Sequence, residues 1–155
     1  MKPTKIPLEL IVPYWGSKIK YTFVDKGRTY TSENAVVDLD TLKELHTFPL
    51  TSVLLYLKPL TKLSDEEVLK IANWVVASEA PVKFDISENE DSIQASNSVY
   101  FIDIFLDPFF ISIVNLGDME TIEPVRNLGL IFNYLRSKSF DVDQLIRSGR
   151  ALEIE

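Results

Sequence analysis

Cysteine is absent from the 155 residues. That excludes disulfides, thiolate catalysis and cysteine-ligated zinc or iron–sulfur centres. It fits an intracellular protein. Glycine is scarce and scattered. The five glycines stand alone at 16, 27, 117, 129 and 149, so no glycine-rich loop is present to cradle a phosphate. Histidine occurs once, as His46, with no sequence neighbour that makes a triad or a metal pair around it. No serine stands in a G-x-S-x-G elbow. The acidic stretch DISENEDSIQAS (85–96) lacks the central glycine and ligand spacing of a calcium loop. Long hydrophobic runs are also missing. The longest, Val99 to Val114, is short for a membrane helix and carries Asp103, Asp107 and Pro108. The N-terminal apolar run is broken by Pro7 and Pro13, unlike a signal peptide. Neither a membrane span nor a cofactor is expected.

What remains is an ordinary globular composition, 46% hydrophobic and 25% charged, without repeats or low-complexity tracts. One domain over 1–155 is expected. The net charge of −7 is unevenly placed. Ten acids fall between Glu79 and Glu123, where Lys83 is the only base, while thirteen acids meet fifteen bases elsewhere. Such a middle region disfavours nucleic acid and suits a basic partner or a divalent cation, or is simply a solvated surface.

The pattern predicts a hairpin first. Ile19, Tyr21 and Phe23 alternate with lysines and threonine, Lys26-Gly27 turns the chain, and Arg28 to Glu33 returns. Asn34 to Leu39 is a candidate third strand, and Asp40 a cap for the helix TLKELH. TSVLLYLKPL, set between Pro49 and Pro59, suits a strand or a helix. Ser64 with Glu67 reads as a capping box opening a helix to about Ser78. Further strands follow. At Asp107-Pro108 a longer loop or bent strand is expected, because proline cannot take the positive φ of a type I′ turn. A second long helix is expected over 122–138, capped by Thr121, with Gly129 marking a close packing contact. At the end, Asp141 caps a two-turn helix, Gly149 stops it, and Leu152 and Ile154 alternate with Glu153 and Glu155 in an edge strand. Strands and helices come in unequal blocks without βαβ regularity. The fold class is therefore α+β, a mostly antiparallel sheet packed by two main helices with a C-terminal helix–strand staple.

Two landmarks carry a resemblance. Lys58, Pro59, Leu60, Leu63, Ser64 and Glu66 form the first, and Phe140, Asp141, Val142, Leu145, Ile146, Gly149, Ala151, Leu152, Glu153 and Ile154 the second. Together they resemble small phage and prophage proteins of gut Bacteroidetes, over less than a third of the chain. The resemblance implies a mobile-element origin and a cytoplasmic setting in a bacterial host. It brings no catalytic residue.

The candidate site residues follow from residue type and place. Asp103 shares a strand face with Phe101 and Phe105, which is costly for a carboxylate unless it is paired. It either meets Asp85, Glu88 or Asp107 around Mg²⁺ or Ca²⁺, or sits at a sheet margin bonded to arginine or lysine. Trp15, beside Tyr14 and Gly16, and one of the adjacent Phe109 and Phe110 are candidate partner anchors, as are Glu88, Glu90 and Asp91 in the acidic loop. Phe110, if it is the exposed one, is expected to want a partner or a second subunit. The leading expectation is a non-enzymatic accessory protein of a phage or prophage that binds a host or phage protein, in a regulatory or anti-defence role. The alternatives are a metal-dependent hydrolase or small-ligand-binding protein built on Asp85, Asp103 and Asp107, and a virion-associated, homo-oligomeric structural protein.

Overall fold

A computed structural model describes residues 7–47 and 50–154. Pro49, expected to bound a strand or helix, and Glu155 lie outside them. The fold is α+β, with two mostly antiparallel sheets where one is expected. The chain divides into two compact units. Unit 1 takes the described residues up to Pro59 and from Asn133 onward, and unit 2 is Leu60–Phe132.

Unit 1 opens with a single helical turn, α1 (Leu8–Ile11), and a 3-10 turn, Val12–Tyr14. Strands β1 (Lys18–Asp25) and β2 (Arg28–Val36) then form the expected hairpin. Lys26 and Gly27 take φ of 48° and 76°, the two left-handed positions that a two-residue hairpin turn needs. The candidate third strand is instead the continuation of β2, past a bulge opposite Lys20. Helix α2 (Leu39–Thr47) begins before Asp40. Its cap is Asp38, whose Oδ1 accepts from the Thr41 N–H at 2.8 Å, because only Asp38 stands three residues before an unpaired first-turn amide. β3 (Leu50–Leu57) resolves the ambiguous leucine-rich segment as a strand, antiparallel to β1.

Near the chain end, Asp141 does accept from two backbone amides, Leu145 N–H at 2.7 Å and Ile146 N–H at 2.9 Å. The expected helix does not form, because Gln144 takes a left-handed φ of 57° and the segment becomes successive turns. Gly149, at φ 73°, is the expected left-handed stop. The final strand, β9 (Ala151–Glu153), pairs parallel to β3 at the sheet edge, giving the order β2-β1-β3-β9. It turns Ala151 into the core, opposite the buried Leu55, and leaves Leu152 and Ile154 half-buried. Ile11, Tyr14, Ile19, Val37, Leu55, Leu57 and Leu145 complete that core. Each fully buried aliphatic side chain contributes about 1.5–3 kcal/mol.

Unit 2 begins with a 3-10 turn and the capped helix α3 (Asp65–Val76). Ser64 and Glu67 form the capping box as expected: Glu67 N–H donates to Ser64 Oγ at 3.3 Å, and Ser64 N–H to Glu67 Oε2 at 2.8 Å. Five strands follow in sequence order, β4 (Asp85–Glu88), β5 (Ser92–Ser96), β6 (Tyr100–Leu106), β7 (Phe109–Asn115) and β8 (Glu120–Thr121), each antiparallel to the next. One sheet face is aliphatic: Ile93, Ala95, Ile102, Ile104, Ile111 and Ile113 are all buried. α3 supplies Val68, Ile71, Ala72 and Val75 to the buried interior of this unit. The turn at Asp107-Pro108 is a two-residue one, with Leu106 opposite Phe109, rather than a longer loop. Its Asp107–Pro108 peptide is cis, a turn class that seats proline without a positive φ.

The helix expected over 122–138 exists only as α4 (Leu128–Ser137), which runs across the division between the units. Thr121 belongs to β8 instead of capping it. Asn127, at φ 60°, interrupts the helical backbone, and its Nδ2 donates to Trp74 O at 2.7 Å. Gly129 makes no close contact; a Cβ there meets nothing within 4 Å.

Candidate functional site

No described helix is long and apolar enough to cross a membrane. The sequence-predicted residues fall into three places. Trp15 leaves the 3-10 turn of unit 1 at 54% exposure, beside Val12 at 47%. Two backbone bonds, Gly16 N–H to Val37 O and Val37 N–H to Ser17 O, lace this segment to residues 36–38. They bring in Val36 and Leu39, which are also exposed. Exposed apolar side chains thus stand on both segments that these bonds join. Trp15 stands out in the sequence by residue type, whereas Val36 and Leu39 come near its segment only through the tertiary pairing.

Next to Trp15 in the chain, Tyr14 enters a polar network that the sequence does not announce. Tyr14, fully buried, donates its hydroxyl to Asp143 Oδ2 at 2.7 Å. Arg136 clamps the same carboxylate with Nε on Oδ2 at 3.0 Å and Nη2 on Oδ1 at 2.8 Å. Burial pushes the Asp143 carboxyl up, but the bonds from Arg136 and Tyr14 outweigh it and hold the group below the ordinary carboxylate value. Burial, and then the adjoining carboxylate, raise the Tyr14 phenol well above its ordinary value, so it stays a donor. The partners are 129 residues apart, and no local pattern links them. The network ties the end of the 3-10 turn, α4 and the C-terminal turns together, a structural use of charge.

Asp103 sits in β6, the middle strand of the five, not at a margin. It shares a face with Phe101 and Phe105 as expected. Its row across the sheet is Ser87, Gln94, Asp103 and Ser112. Asp103 Oδ1 is shielded from solvent and has no hydrogen-bond partner among the described residues. Among the described residues, neither the metal cluster nor, alternatively, the arginine or lysine partner considered for Asp103 is formed. Asp85 lies two strands away, opposite Ser96, and Asp107 occupies the turn beyond Leu106. Among the described residues no group of three His, Asp or Glu side chains is placed to hold a metal ion. Phe109 and Phe110 split between faces as the pleat requires. Phe109 is buried and meets Phe132 edge-on at 5.2 Å, and Phe110 stacks on Phe105 at 4.2 Å while remaining 48% exposed.

Glu88, Glu90 and Asp91 are exposed at the end of β4 and in its turn. His46 is exposed in the last turn of α2. A feature with no sequence signal adjoins β4: Asn73 of α3 grips the backbone of Val82, accepting from its N–H at 2.6 Å and donating to its carbonyl at 3.1 Å. Asn73 Nδ2 also reaches Leu69 O at 2.9 Å. A concavity of about 620 Å³ opens there, walled by Leu69, Val82 and Phe84. No protein-family model, no curated protein and no solved structure matches the chain.

Proposed function

We propose that this chain is a non-enzymatic interaction protein, an accessory factor of a phage or prophage acting in the host cytoplasm on a host or phage protein. The observation that carries the binding reading is Trp15, 54% exposed on a segment whose backbone bonds to Val37, with Val12, Val36 and Leu39 also exposed on the two bonded segments. Tryptophan on a surface is a large, rigid anchor whose truncation in an interface typically costs 2 kcal/mol or more, about thirtyfold in affinity. The landmark residues of the C-terminal segment support the mobile-element setting.

The test is a quantitative pull-down from a Bacteroidetes lysate with tagged wild type, Trp15→Ala and Leu39→Ser, read by mass spectrometry. A stoichiometric protein held by wild type and lost from both variants, with their circular dichroism unchanged, is the expected result. Equal recovery by all three removes the reading.

A further inference from the structure

A second surface, in unit 2, has its own chemistry. β4 has β5 on one side and, among the described residues, no strand on the other. The β4–β5 hairpin closes with Asn89 N–H donating to Ser92 O at 2.8 Å. Along an antiparallel ladder, bonded and unbonded pairs alternate from that point. Ser87 and Asp85 therefore direct their amides and carbonyls to β5, and Ile86 and Glu88 direct theirs outward. An open strand edge is a template for another extended chain.

Two features set what that chain is. The concavity between α3 and Phe84 meets β4 at its first residue, Asp85, and the Asn73 clamp on Val82 holds one of its walls. Its wall also carries Lys83, Asp85 and Ser96, and its apolar part, Leu69, Val82 and Phe84, offers a place for one side chain of an added strand. The rim is acidic, with Asp85, Glu88, Glu90 and Asp91 all exposed and Lys83 the one nearby base. Those charges repel a second copy of the same edge and attract a basic segment. We infer that the outer edge of β4 takes up an extended basic segment of a partner protein by strand addition, with one apolar side chain in the recess beside Leu69 and Phe84.

The probe is a capped peptide of alternating lysine and valine, compared with its glutamate and valine counterpart and with a form N-methylated along one edge. Amide exchange and chemical shifts of the whole protein report binding. The expected result is saturable binding of the lysine peptide, with slowed exchange at Ile86 and Glu88 and shifts at Leu69 and Asn73. Ile86→Pro, which removes one outward donor, should weaken it about fivefold or more. The surface variant Glu88→Lys/Asp91→Lys should weaken it further at low salt. Unchanged exchange at Ile86 and Glu88 at saturating peptide overturns the inference. So does binding that ignores the methyl groups or the sign of the peptide charges. The readout is confined to β4, so its failure leaves the Trp15 result standing.

Discussion

Unit 1 and unit 2 hold their sheets together by different means. The sheet of unit 1 is completed from the far end of the chain: β9 lies parallel to β3, Ile154 N–H bonds Leu57 O, and Asp143 joins Tyr14 across 129 residues. The sheet of unit 2 is a run of hairpins between sequence neighbours, with the Ile side chains of β5, β6 and β7 turned to one face. The first depends on a charged clamp between distant segments, the second on local pairing over an aliphatic layer. A distant closure adds loop-closure cost and concentrates stability in few residues, whereas sequential hairpins spread it.

Truncation of the cores gives the largest effect. Phe140, 1% exposed, lies beneath the Lys58 ammonium at 4.8 Å, and its backbone bridges to Lys58. Phe140→Ala is expected to cost about 3–5 kcal/mol, against about 2–4 for Ile104→Ala in the aliphatic layer, both read from urea unfolding. Each unit carries one tryptophan, Trp15 and Trp74, so single-tryptophan backgrounds (Trp15→Phe or Trp74→Phe) report the two transitions separately. Coincident shifts of both reporters in both variants break the comparison.

The clamp comes next. Arg136→Ala leaves Asp143 with only the Tyr14 hydroxyl and is expected to cost about 2 kcal/mol. Acid sharpens the same contrast. The Asp143 carboxyl is depressed in the folded state, so its contribution is complete above the ordinary carboxylate value of 3.8 and is lost as pH falls through the lower folded value. Asp143→Asn should therefore narrow its stability deficit against wild type at the acid end of a titration. A deficit constant with pH contradicts the assignment. The smallest effect has the opposite sign. Gly129 is helical and faces open space, so Gly129→Ala should stabilise by roughly 0.5–1 kcal/mol in thermal unfolding.

What was legible in the sequence was local. The Ser64 capping box, the Lys26-Gly27 hairpin and the split of Phe109 from Phe110 each depend on residues within a few positions of one another. What was not legible depends either on a choice between neighbouring caps and backbone states or on partners far away in sequence. Asp38 takes the cap expected of Asp40, and Asn127 breaks a helix that periodicity alone would extend. Gln144 unwinds the C-terminal turns, and Ala151 faces inward because parallel pairing to β3 sets its register. The same holds for the candidate surfaces. Trp15 and the acids of the β4 turn stand out by residue type. Val36, Leu39 and the Asn73 clamp acquire meaning only from the fold, and Asp103 is placed mid-sheet by a strand order that its own segment does not encode.

The most direct test of this contrast is amide hydrogen exchange on Arg136→Ala, residue by residue. Faster exchange in β1, β3, β9 and residues 140–150, with β5, β6 and β7 protected as in wild type, is the predicted result. An equal loss of protection across β5–β7 would contradict it.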